Sequence, residues 1–326
     1  MVRPRILIVS PASARDNNGN WQTASRWASF MRGAYEVAIA PTWQAGDVAP
    51  DLLVALHARR SAAALDAFSR ACPGRPSVLV LTGTDLYRDI HSAPAAQAAL
   101  AQAHALVALQ PAGLAELPPP VRAKAHVIYQ SAPALPPQQP AAPRHIDICM
   151  IGHLRDEKDP LTFIRAAALV DAPGVRLLHI GGALDPALGA AAQQAQAERP
   201  DRYRWLGPLP HAEARRRLAG CHAMAITSRM EGGANVIIEA VTSGVPVLAS
   251  DISGNRGMLG EDYAGYFAPG DAAALARLIE RSAQDPAFDA RLRQQCAARA
   301  ALFTPAAEQA ALLDLVDNLL RAPASN

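Results

Sequence analysis

Short, unbroken apolar runs recur along this chain with helical stretches between them, and that rhythm restricts the possible fold more than any other feature. The runs are Ile6–Val9, Glu36–Ala40, Leu52–Leu56, Ser77–Leu81, Ala105–Leu109 and His126–Tyr129. Alanine-rich helical segments such as Trp21–Met31 and Ser61–Ala71 separate several of them. Continuous apolar runs suit strands covered on both faces, and their alternation with helices predicts a parallel, doubly wound sheet. The rhythm stops at Ala132–Pro143, APALPPQQPAAP, where five prolines in twelve residues cannot continue a helix or a central strand. It restarts at Ile146–Ile151, Arg176–Ile180, Tyr203–Leu206, His222–Ile226 and Val245–Ala249. The expected α/β architecture is therefore two Rossmann-like domains, residues 1–132 and 146–304, joined by a proline-rich linker at 133–145. A last segment, 305–326, carries a helix with Leu312, Leu313, Val316, Leu319 and Leu320 on one face, expected to pack back toward the first domain. Facing sheets of this kind leave a cleft at the carboxyl ends of their strands, where ligands bind.

A length of 326 residues allows two domains, each with its own core. The composition, 50% hydrophobic and 18% charged, is ordinary for a globular protein, and a net charge of +2 argues against general nucleic-acid binding. Cys72, Cys149, Cys221 and Cys296 form no CxxC pair, which speaks against a zinc site or disulfide framework and for free thiols in a reducing cytoplasm. Arg3 and Arg5 before Ile6–Val9, with Ala12-Ser13-Ala14 after it, imitate a signal peptide, but an apolar run of four residues is too short for one. No run is long enough to span a membrane.

The most informative segment is SRMEGGANVIIEAVTSGVPVLASD, Ser228–Asp251. A strand runs into Gly232 and Gly233, and a helix opens near Ala234. Glycines ahead of a helix let backbone N–H groups approach an anion that the helix dipole helps to hold. Glu239 sits within the apolar run Val236–Val241, and a carboxylate on a mostly buried helix needs a partner. Ribose hydroxyls would serve; so would a salt bridge to a nearby arginine. A second segment, CMIGHLRDEKDP at Cys149–Pro160, places Arg155 and Lys158 beyond a strand's carboxyl end. Two cations there suit a departing diphosphate, and equally a solvated charged turn.

Together, G-x-L-x-x-E-K at Gly152–Lys158 and E-x7-E at Glu231–Glu239 resemble the retaining GT-B glycosyltransferases of family four. The motif spacing, proline-rich linker and terminal helix extend the resemblance over nearly the whole chain. It implies Glu239 on the donor ribose, Glu231 on the transferred sugar, and Gly232, Gly233, Ala234, Asn235 and Val236 along the sugar and diphosphate. It implies Lys158 on the diphosphate. The family usually has Arg directly after the motif's glycine; here that position is His153, and Arg155 is expected to supply the charge.

In the first half, Asn17-Asn18-Gly19-Asn20 forms a turn ahead of a helix, with Gly19 a donor candidate and Asn20 an acceptor candidate. Strand Leu52–Leu56 ends in His57, Ala58, Arg59 and Arg60; strand Ser77–Leu81 ends in Thr82, Gly83, Thr84, Asp85, Leu86, Tyr87 and Arg88. A histidine and several arginines at adjacent strand ends favour a small anion. NNGNWQTASRW, LHARRSA and LTGTDLYRD closely resemble the selenosugar synthases of selenoneine biosynthesis. That resemblance implies transfer of N-acetylglucosamine from UDP-N-acetylglucosamine to selenophosphate. The chain has no Asp-x-Asp, so no metal or other cofactor is expected, and Arg155, Lys158, Glu231 and His57 are the candidate catalytic groups. Rival readings are transfer to a hydroxyl acceptor, a UDP-sugar epimerase or hydrolase, and a non-catalytic nucleotide-sugar binder.

Overall fold

The protein is described by a computed structural model covering residues 3–13, 19–135 and 145–322. Residues 136–144 of the expected linker, Asn17 and Asn18 of the first turn, and the end of the terminal segment, 323–326, lie outside the described residues. The chain divides into two units. One comprises Met1–Gln130 with Pro305–Asn326, the other Ser131–Thr304.

The first unit contains β1 (Arg5–Val9), α1 (Gly19–Met31), β2 (Glu36–Ala40), β3 (Leu52–Leu56), α2 (Ala62–Ala71), β4 (Ser77–Leu81), α3 (Ile90–Ser92), α4 (Pro94–Gln102), β5 (Ala105–Ala108), α5 (Pro119–Arg122) and β6 (Ala125–Val127). Its six strands are all parallel, in the order β2-β1-β3-β4-β5-β6. The two-residue period of a strand explains the burial on both faces. Leu52, Val54 and Leu56 of β3 join Ile6, Ile8, Trp27 and Met31 in one core. Leu53 and Ala55 join Phe68, Leu79, Leu81 and Leu100 in another on the opposite face. Full burial of a side chain such as Phe68 contributes about 2 kcal/mol.

The terminal helix of the chain belongs to this unit by its contacts. Leu312, Leu315 and Val316 are buried in the first core, with Leu313, Leu319 and Leu320 packed against it. Buried Glu308 accepts from Arg26 Nε and Trp27 Nε1, both at 2.7 Å. Asp317 accepts from the Tyr35 hydroxyl.

The second unit contains β7 (Ile146–Ile151), α6 (Pro160–Leu169), β8 (Val175–Ile180), α7 (Pro186–Glu198), β9 (Tyr203–Trp205), α8 (His211–Ala219), β10 (Ala223–Ile226), α9 (Asn235–Thr242), β11 (Val247–Ser250), α10 (Ser253–Leu259), β12 (Tyr266–Phe267), α11 (Ala272–Gln284) and α12 (Pro286–Arg299); α13 (Pro305–Arg321) is the terminal helix of the first unit. Again all six strands are parallel, in the order β12-β11-β10-β7-β8-β9. Strand order therefore reverses between β7 and β10, and the crevice at such a reversal is where open α/β sheets bind ligands. Strand β11 starts later than expected, because Pro246 has no N–H to donate to a ladder; its carbonyl still accepts from Met224. The two-residue β12 is too short to show any periodicity and was not expected.

All four cysteines are free thiols. Among the described residues no helix is long and apolar enough to cross a membrane. No group of three or more His, Cys, Asp or Glu among them is arranged to hold a metal ion.

Candidate functional site

The loops that leave β7 and β10, the two strands at the reversal, carry both sequence motifs of the second unit. After β7 the chain passes Gly152, turns through Asp156–Lys158 and enters α6 at Pro160. The turn is closed by Asp159, which adopts the left-handed conformation at φ 44° and is held by Thr162 Oγ1 donating to its Oδ2 at 2.8 Å. Two bonds tie this loop to the one after β10: Thr227 Oγ1 donates to the Lys158 carbonyl at 2.8 Å, and Arg229 N to the Glu157 carbonyl at 2.9 Å.

Within that frame, Lys158 Nζ and Ser228 Oγ both donate to Glu231 Oε1 at 2.5 Å. Glu231 is buried and Lys158 nearly so, which makes this a charge-assisted pair in a partly desolvated setting. The backbone of Glu231 is fixed from behind. A Cβ on Gly254 of α10 would lie 2.0 Å from the Glu231 carbonyl oxygen, so only glycine permits this approach. Ser250 Oγ also donates to the Ser228 carbonyl at 2.6 Å, and Asn255 Nδ2 to the Ser250 carbonyl at 2.9 Å.

Glu239, on α9, is buried and finds its partner in His211, whose Nε2 lies 2.7 Å from Oε1. The arginine considered from the sequence is therefore not its partner. Gly232, Gly233 and Ala234 form the approach to α9, with Asn235 and Val236 in its first turn. Ala234 stands at the N-cap of this helix, and an anion at its start would meet the positive end of the helix dipole.

His153, expected to contact the donor, is half-buried and tied to the turn after β8. Its Nδ1 accepts from Gly182 N at 3.1 Å, so the ring anchors the turn after β8. Burial first, and then the positive charges of Arg155 and Lys158, push its pKa below the usual histidine value; Gly182 works in the other direction. Arg155 is half-exposed, with its Nε 3.9 Å from Glu157 Oε2.

In the first unit the loops after β3 and β4 come together around two carboxylates. Asp85 is fully buried: Oδ2 accepts from Ala58 N at 2.9 Å, and Oδ1 from Thr82 N and Gly83 N at 2.9 and 2.8 Å. Expected at the acceptor site, it has no exposed surface and joins the two loops. Asp89, which sequence reasoning missed, gathers the basic side chains. Arg59 Nε donates to Oδ2 at 2.9 Å and Arg88 Nε to Oδ1 at 3.3 Å. Both arginines remain about half-exposed. Arg60 is exposed on the same loop.

His57 adopts φ 74°, the left-handed region that histidine enters more readily than most residues but still at a cost of about 1–3 kcal/mol. Its Nε2 lies 3.3 Å from Thr84 Oγ1 and 3.9 Å from Asp89 Oδ2. Burial is the main cause of a lowered pKa. Only 3% exposed, the ring lies beside Thr84 and Asp89 and is placed to orient them. Gly19 and Asn20 form the first turn of α1, where Thr23 Oγ1 donates to the Gly19 carbonyl at 2.8 Å.

Comparison with solved structures shows the same fold in several glycosyltransferases. HepE from Anabaena, in complex with UDP and glucose, aligns with a TM-score of 0.75 at 17% identity, covering 97% of this chain and all of its own. Sucrose-phosphate synthase from Thermosynechococcus elongatus aligns with a TM-score of 0.80 at 18% identity, covering 97% of this chain and 99% of its own. The lipopolysaccharide outer core galactosyltransferase WaaB aligns at 0.69 and 13% identity, over 96% of this chain and 99% of its own. These likenesses show the GT-B fold. The sequence model of the glycosyl transferases group 1 matches residues 132–302, just over half of the chain and nearly all of the second unit, with every residue of the Lys158–Glu231 and His211–Glu239 pairs inside it. The chain therefore belongs to the group 1 glycosyltransferases.

Proposed function

We propose that this glycosyltransferase takes N-acetylglucosamine from UDP-N-acetylglucosamine and delivers it to selenophosphate. The observation that carries the donor half is the convergence of Lys158, Glu231 and the start of α9 on the loops of the β7/β10 reversal. A cation, a buried carboxylate and a helix N-terminus suit a sugar diphosphate. The similar fold of HepE, which was determined with UDP and with UDP-glucose, supports a uridine nucleotide.

In this reading Glu239 accepts from the ribose, Lys158 and Arg155 offset charge on the departing diphosphate, and Glu231 meets the sugar. The acceptor half rests on the resemblance to selenosugar synthases and on Arg59 and Arg88, held half-exposed around Asp89. A multiply charged acceptor needs such compensation when it approaches an anionic donor; a neutral alcohol does not. Selenium forms the new bond to the anomeric carbon, the bond from that carbon to the diphosphate oxygen breaks, and its electron pair leaves with UDP. Selenophosphate is a strong nucleophile, so positioning is the main task. Basic side chains and a helix N-terminus supply the charge compensation, with no metal required.

The test is incubation with UDP-N-acetylglucosamine, with and without selenophosphate, in EDTA, followed by mass spectrometry. A sugar product with the selenium isotope pattern, formed only with selenophosphate, is expected. Consumption of donor without selenophosphate, or transfer only to an alcohol, would replace the acceptor assignment. Loss of activity in EDTA that added metal restores would overturn metal independence.

A further inference from the structure

We infer that His211 is a positioning residue for the donor: by holding one oxygen of Glu239 it sets the other for the ribose. This inference rests on the donor reading above. The segment 206–210, between β9 and α8, is held at its start. Gly181 N donates to the Gly207 carbonyl at 2.9 Å, and Leu206 N to the His179 carbonyl at 2.8 Å, pinning the segment to the end of β8. Pro208 and Pro210 restrict the backbone on either side of Leu209. His211 then becomes the first residue of α8. A histidine is a poor choice there for the helix itself, since its charged form opposes the positive end of the dipole. The contact that accounts for it is with α9, where its Nε2 lies 2.7 Å from Glu239 Oε1.

Glu239 is almost wholly buried, whereas the His211 side chain is 45% exposed, so the pair runs from the core of α9 outward to solvent. Among the described residues Oε2 of Glu239 takes no hydrogen bond. A carboxylate offers about four acceptor positions, and one engaged by a fixed imidazole leaves a directed, nearly buried acceptor for a neutral donor group. A ribose hydroxyl has that chemistry.

Calorimetry with UDP and with pyrophosphate, together with donor kinetics, separates the outcomes. His211→Ala is expected to weaken UDP about tenfold, the loss typical of a hydrogen bond to a charged group. It should raise the KM for the donor more than it lowers kcat. His211→Gln, whose amide nitrogen can take the place of Nε2, should stay within about twofold of the parent. Pyrophosphate, which lacks the ribose, should bind all variants alike, and His211→Ala with Glu239→Gln should be no weaker for UDP than Glu239→Gln alone. Unchanged or tighter UDP binding by His211→Ala would overturn the inference, as would an equal loss for pyrophosphate. If Glu239→Gln weakens UDP and His211→Ala does not, only this inference fails. If the parent protein binds no UDP, the donor reading fails with it.

Discussion

At the scale of single residues, the two carboxylates near Arg59 act in opposite ways. Asp85, itself fully buried, is consumed by three backbone N–H groups. Asp85→Ala should strand them, lowering the unfolding free energy by about 3 kcal/mol or more, measurable as a fall in the urea midpoint. A midpoint within experimental error of the parent would contradict the assignment of Asp85 as the joint between the two loops. Asp89 instead orders arginines that still reach solvent. Under the proposed function, which assigns its charge to the acceptor, Arg59→Ala should raise the KM for selenophosphate several-fold and leave UDP affinity within about twofold. Loss of UDP binding in that variant would show Arg59 to be a donor-site or structural residue.

At the scale of elements, the placement of Glu231 depends on α10 as much as on its own loop. Gly254 admits the Glu231 carbonyl at a distance no Cβ tolerates, so Gly254→Ala must push the loop or the helix aside. Donor turnover should drop by about tenfold or more, since a displacement near 1 Å at a reacting group is costly. Far-ultraviolet circular dichroism should stay close to the parent's. Full activity would mean that the close approach is not needed to hold Glu231. This contact was invisible in the sequence, where Gly254 stands in an unremarked SGN; only packing of α10 onto the loop gives the glycine its reason. The strands were legible for the opposite reason. Each is a continuous apolar run, and burial on two faces writes that pattern directly into the chain.

At the scale of the whole molecule, several histidines sit in settings that resist protonation. The ring of His179 is pushed down to about 4, mainly by burial, and those of His57, His104 and His153 are also lowered. A histidine whose folded value lies below its unfolded value of about 6.5 binds fewer protons in the folded state. The stability it contributes is complete above about pH 6.5 and is lost as pH falls from there toward about 4. Urea midpoints should therefore decline between pH 7 and 4.5, and His179→Phe should show a shallower decline than the parent. An equally steep decline in the variant would assign the acid sensitivity to other groups.

By itself, the sequence determined the two parallel α/β units, the nearly exact bounds of most strands, and the two motifs that fall at the β7/β10 reversal. Those features depend on local periodicity and on breakers such as the prolines of 132–143. Tertiary structure alone decided which charged side chain meets which. It paired Lys158 with Glu231 across 73 positions and His211 with Glu239 across 28, buried Asp85 at the joint of two loops, and made Asp89 the centre of the arginine cluster. A carboxylate's role depends on its burial and on the donors within about 3 Å of it, and in a parallel sheet those donors arrive from neighbouring strands that the sequence sets far apart.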